Sequence, residues 1–219
     1  MNMLSLKSLF GVTLATIASL SVNAETLSYD GSWKHQKFPL ASSNTFSAQG
    51  GSLSISSNDA VSLFYRSVPM ALNGAISASW NWKVSASVEA TNLRNKGGDD
   101  RNIAIYYVFV PTSEATKMAG KSATSILRNK GTKALVYTFG GSDGRGAKYN
   151  NPHLAGRGQT IVLRKAGTGS FEEQVNLKND FQSAFGASDV ALIGIAISSD
   201  SDDTDGSIAA TVSAINLKP

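Results

Sequence analysis

"AISASWNWKVSASV", residues 75–88, decides the fold class. Ile76, Ala78, Trp80, Trp82, Val84 and Ala86 alternate with Ser77, Ser79, Asn81, Lys83 and Ser85. A period of two over this length is the signature of a strand with one buried face. Trp80 and Trp82 share that face, so core packing is the expected role for both.

The same texture extends in both directions. "GSLSISS" alternates at Leu53 and Ile55, and "AVSLFYRSV" follows across "SND". Downstream, "NIAIYYVFV" is apolar throughout, which predicts a strand covered on both faces. "KALVYTFG", "QTIVLRKAG", "SFEEQVNL", "VALIGIAIS" and "SIAATVSAINL" complete a set of ten or eleven strands separated by Gly, Ser, Asn and Asp. An all-β, two-sheet antiparallel β-sandwich, jelly-roll-like, closes such a set. Two segments read as helical: "KNDFQSAFG", ended by Gly186, and the long connection 112–131, which is expected to protrude as a mobile flap.

The first 24 residues are set apart. Lys7, an apolar stretch from Leu9 to Leu20, and Val22-Asn23-Ala24 have the layout of a secretory signal peptide, with cleavage before Glu25. The apolar stretch of about 12 residues is shorter than the roughly 20 that span a bilayer. The expected mature chain, 25–219, is one sandwich domain, periplasmic or secreted, with no integral membrane segment after cleavage. It contains no cysteine, so disulfides and cysteine-bound zinc are excluded. Residues 94–133 are basic, with Arg94, Lys96, Arg101, Lys117, Lys121, Arg128, Lys130 and Lys133 against Asp99, Asp100 and Glu114. That surface suits an anionic polymer, but export argues against nucleic acid.

The other charged feature is "SSDSDDTDG", 198–206, expected to be an exposed connection between two strands. Reading it as an EF-hand with Gly206 at position 6 puts Val212 at position 12, where a carboxylate is required, so that motif is rejected. A sandwich loop can still hold Ca²⁺, and Asp200, Asp202 and Asp203 are its expected ligands. The competing reading is a solvated polar turn. Asp99-Asp100 either lines a cleft or caps a turn, with capping preferred.

Catalytic signatures are sparse. His35 and His153 are the only histidines, and no G-x-S-x-G elbow is present. "GGSDGRG" at 140–146, "GRG" at 156–158 and the GKS of "AGKSAT" lack phosphate-loop spacing and read as turns. Tyr149 and His153, in "KYNNPHL", are the candidate acid–base pair of a polysaccharide lyase. Trp33, Tyr65, Tyr137 and Tyr149 are expected to be partly exposed, as a sugar-stacking site requires. The expected ligand-binding set is Asp99, Asp100, Tyr137, Tyr149, His153 and Arg157.

Six motifs in order carry a resemblance: "SWNWKV" (79–84), "KGGDDRNIAIYYVFV" (96–110), "ALVYTFGG" (134–141), "NPHL" (151–154), "LKNDFQSAFG" (177–186) and "IGIAISSDSDDTDG" (193–206). Together they resemble a bacterial family of exported proteins, domain of unknown function 3047, over about residues 30–217. The resemblance implies a jelly-roll-like sandwich similar in architecture to carbohydrate-binding modules, and no established reaction. It departs at two points. Ala104 stands where the family often has an arginine, so a positive charge balancing the aspartate pair is expected to be missing, and Phe171 stands where a tryptophan is frequent. The expected function is non-catalytic binding of a polysaccharide or envelope component. The alternative is a polysaccharide-active enzyme, lyase ahead of hydrolase, and the third reading is a structural envelope protein.

Overall fold

The computed structural model describes residues 24–219; the expected signal segment lies outside the described residues, apart from Ala24. In chain order the first strands are β1 (Glu25–Leu27), β2 (Lys34–Lys37), β3 (Thr45–Gln49), β4 (Ser52–Asn58), β5 (Val61–Ser67), β6 (Ser77–Ala86) and β7 (Arg101–Pro111). Two short helices follow, α1 (Ala115–Met118) and α2 (Ala123–Arg128). Then come β8 (Lys133–Phe139), β9 (Lys148–Asn150), β10 (Gly158–Arg164), β11 (Gly169–Asn176) and helix α3 (Leu177–Phe185). The chain ends with β12 (Val190–Asp200), β13 (Ser207–Ser213) and β14 (Ile215–Lys218).

These strands form two sheets, packed as a jelly-roll-like sandwich. In the first, β11 pairs with one edge of β6 and β13 and β14 share its other edge. From there β4 and β3 extend beyond β13, and β1 beyond β14. The second sheet runs β2-β5-β12-β7-β8-β10-β9. Its one parallel pair is β8 with β10; every other pairing among the described strands is antiparallel. The strand total exceeds the ten or eleven read from sequence because the short segments β1, β2 and β9 are too polar to show alternation.

The alternation in β6 is realised. Ala78, Trp80, Trp82 and Val84 are buried, each 2 % exposed or less. Ile76 drops out of the pattern, because it precedes the strand and is exposed. Trp80 meets Trp82 edge-on at 5.4 Å between ring centroids, and Trp82 lies 5.6 Å from Phe139 of the opposite sheet. The inner face of the second sheet supplies Ile103, Ile105, Tyr107, Leu135, Tyr137, Ile195 and Ile197. Burial of such side chains is worth about 25 cal/mol per Å² of apolar surface, which makes this core the main stabilising term.

Glu173 is buried in the same layer. Its carboxylate accepts hydrogen bonds from Trp82 Nε1 (3.3 Å), Arg164 Nε (2.7 Å) and Arg145 Nη1 (2.8 Å), tying β11 of one sheet to β10 of the other.

The helical readings fare differently. Helix α3 forms as expected, with Asn176 capping its start and Gly186 ending it in the left-handed conformation. The 112–131 segment is not a protruding flap. Ala115, Met118 and Ile126 are buried against Val110, Ala191 and Ile193, so this connection covers part of the outer face of the second sheet. Trp33 is also buried, not partly exposed: it stacks on Phe64 at 5.4 Å and donates its Nε1–H to the Ser28 carbonyl.

Candidate functional site

The outer face of the second sheet carries a cleft of about 550 Å³. Alternation builds its floor: Leu63 and Tyr65 from β5, Gly194, Ala196 and Ser198 from β12, and Tyr106 and Val108 from β7. The small side chains of β12, in the middle of the sheet, leave the depression. Ile126 and Leu127 of α2 border one end, beyond Pro111. At the other end, where Asp200 pairs with Arg101, the lining becomes polar: Asp99, Arg101, His153, Asp200, Asp202 and Asp203.

Arg101 organises that end. Strict alternation would aim it inward with Ile103 and Ile105. The β7–β12 register shifts between Ser198 and Asp200, so Ser198 faces Ala104 while Asp200 faces Arg101. This irregularity turns the arginine to the cleft face, as bulges do beside sites. Gly140 makes room: a Cβ there would stand 2.7 Å from the Arg101 Cβ. Arg101 Nη1 lies 3.0 Å from Asp99 Oδ2 and 2.8 Å from Asp200 Oδ2, and Nη2 donates to Tyr106 Oη at 3.0 Å. His153 Nε2 reaches the same Asp99 oxygen at 2.8 Å. Of the aspartate pair left without an arginine at position 104, Asp99 is met by Arg101, and Asp100 is met by backbone amides instead.

The two carboxylates are driven apart. Burial alone would raise Asp99, but the hydrogen bond to His153 and the charge of Arg101 outweigh it, and Asp99 titrates below the usual carboxylate range. Burial pushes Asp200 up to about 8 against the pull of Arg101, helped by the adjoining Asp202 carboxylate. The folded state therefore holds the Asp200 proton where the unfolded chain has lost it, and this contribution to stability declines as pH rises from about 4 to about 8. Denaturant midpoints between pH 5 and pH 8 should fall less steeply for Asp200→Asn than for wild type; equal slopes would refute this assignment.

The remaining sequence candidates divide. Asp100 is wholly buried and caps the turn between β12 and β13, accepting from the Asp203 and Thr204 amides at 3.1 and 2.9 Å, while its neighbour Asp99 lines the cleft, so the pair divides between the two readings. The 198–206 segment is not an exposed loop throughout: Ser198, Ser199 and Asp200 are buried in β12, and the turn proper starts at Ser201. Tyr137 is corrected to a core residue, fully buried and donating its hydroxyl to Asp180 at 2.8 Å. Arg157 is corrected to a helix cap, donating to the Leu127 and Asn129 carbonyls at the end of α2. Tyr149 sits on edge strand β9 outside the cleft lining, its ring 4.3 Å from the Arg94 guanidinium and its buried hydroxyl without a partner. Tyr149 and His153 therefore do not face a common point in the cleft. Tyr65 is partly exposed, as expected. Arg101, Tyr106 and Glu173 were not singled out by the sequence.

The family described as "Protein of unknown function (DUF3047)" matches residues 31–216. No curated protein matches the chain. Among solved structures, the chain is similar to the xyloglucanase domain of NopAA, an effector from Sinorhizobium fredii solved with cellobiose, at 10 % identity and a TM-score of 0.47 over 90 % of this chain and 96 % of that one. It is similar to Trichoderma harzianum endoglucanase 3 at 11 % identity and 0.45, over 92 % and 100 %. The family 11 carbohydrate-binding module of a Clostridium thermocellum cellulase matches at 13 % identity and 0.40, over 90 % and 95 %. Scores this low bear on neither activity nor ligand.

Proposed function

We propose, for a chain that belongs to the DUF3047 family, non-catalytic binding of a glycan of the cell envelope by an exported protein. The observation that carries the proposal is the cleft itself. Its partly exposed Tyr65 and Tyr106 offer flat faces for sugar rings, and its polar end offers acceptors for hydroxyls. The test is a glycan array on the protein, followed by titration of the best ligand. Tyr65→Ala should weaken that ligand by about tenfold, roughly 1.4 kcal/mol. Unchanged affinity in that variant would remove the cleft from the binding site.

A second reading, glycoside hydrolysis, is favoured by one observation. Asp99 and Asp200 lie at one cleft end with their proton affinities pushed in opposite directions, as an acid and its ionised partner require. Release of reducing ends from the bound glycan would establish it. The lyase reading loses support, because its tyrosine lies outside the cleft lining.

A further inference from the structure

Asp100, Asp202 and Asp203 each present a carboxylate oxygen within 4.8 Å of the others. Oxygens bound to one Ca²⁺ at about 2.3–2.6 Å span just such distances. The cluster joins residues about a hundred positions apart. Asp203 accepts from the Asp99 amide at 3.2 Å and the Asp203 amide donates to Asp100, so the turn is pinned against the start of β7.

A second observation points the same way. Asp200 is 6 % exposed, and its carboxylate abuts that of Asp202. Its Oδ2 is occupied by Arg101, whereas its Oδ1 is sealed from solvent and has no hydrogen-bond partner. A buried carboxyl oxygen without a partner is costly, and the Asp202 carboxylate beside it leaves negative charge at the same corner. A cation held by Asp202 and its partners offsets that charge.

We propose that this corner binds one Ca²⁺ through Asp100, Asp202 and Asp203, beside the unpartnered Oδ1 of Asp200. The donor set is entirely oxygen, which selects a hard cation. Asp100 keeps acceptor capacity after capping the turn, since a carboxylate offers about four lone-pair sites. Asp200, Asp202 and Asp203 also line the cleft, so an ion here sits at its polar rim. Resting on the glycan reading, the ion's remaining positions take sugar hydroxyls in place of water.

Calorimetric titration of the protein with CaCl₂ alone tests the site. The expected result is one Ca²⁺ per chain, and a melting temperature raised by about 5–11 °C when Ca²⁺ is at about a hundred times its dissociation constant. Asp202→Asn should weaken Ca²⁺ by about tenfold or more, because carboxylate count tunes such affinities. No heat and no melting shift at about 10 mM Ca²⁺, above the range of weak extracellular sites, overturns the cation site and leaves the glycan reading standing. For any glycan found on the array, affinity lost in EDTA supports coordination by the ion. Affinity unchanged in EDTA overturns that step alone.

Discussion

Arg101→Met should destabilise the protein by about 3–5 kcal/mol near neutral pH, lowering the melting temperature by roughly 6–20 °C. The arginine is 6 % exposed and is the counter-charge of the ionised Asp99, 3 % exposed, while it also meets Asp200, 6 % exposed, which largely keeps its proton near neutral pH. Methionine fills much of the same volume, so the loss is electrostatic rather than a cavity. What remains is a pair of buried acids with no cation against them, and the Tyr106 hydroxyl without its donor. The deficit should shrink as pH falls. Without Arg101 both carboxyls bind protons more tightly in the folded state than in the unfolded one, so folding takes up protons and acid favours it. Adding Asp99→Asn and Asp200→Asn to the methionine variant should restore part of the loss. A deficit that stays constant from pH 5 to pH 8, with no rescue by the two amides, would show that Arg101 contributes packing and not charge. Arg101→Lys should be intermediate in cost, because an ammonium keeps the positive charge but cannot reproduce the planar fork that meets Asp99, Asp200 and Tyr106 together.

Trp82→Ala should cost about 3–5 kcal/mol, the range for deleting a large aromatic from a core. The indole is 1 % exposed and lies between Trp80 and Phe139, so its removal leaves a cavity between the two sheets. It also takes away the Nε1–H given to Glu173, a carboxylate whose side chain is fully buried. Trp82→Phe separates the contributions: most of the apolar contact survives and the hydrogen bond does not. The expected order of stability by chemical denaturation is wild type, then phenylalanine, then alanine. An alanine variant within about 1 kcal/mol of wild type would mean that the sheets close over the gap, which rigidly packed cores rarely do.

How much of this was legible depends on how local the signal is. The fold was readable from residues 75–88 because a half-buried strand writes its environment into every second side chain. Helix α3 was readable because Asn176 and Gly186 bracket it. The cleft was not. Tyr137 looked like a binding aromatic, and only its place in a strand covered on both faces makes it core. Arg101 looked like one more charge in a basic segment. What gives it a role is a register irregularity in a pairing between residues about a hundred positions apart, and spacing along a chain does not encode such shifts. The aspartate turn was half legible: Asp202 and Asp203 were found, but Asp100 joins them only through the long-range contact. Glu173 shows the same limit, since nothing in "FEEQV" distinguishes the buried glutamate from its exposed neighbour Glu172.

The pairing of β1 with β14 has a consequence for how the chain reaches this structure. Leu27 stands opposite Ile215, and β6 waits for β13 and β14 to fill one whole edge. In the other sheet β5 and β7 are held together only by β12 between them. Neither sheet can close until the final strands exist. Contacts this distant in sequence make for slow folding, because loop-closure entropy is spent before pairing returns any of it. A partly emerged chain ending before residue 190 carries β5, β6 and β7 with open hydrogen-bonding edges and the Trp80–Trp82 face uncovered. That intermediate is prone to pair with other chains, so the last thirty residues set the time for which each new molecule needs protection.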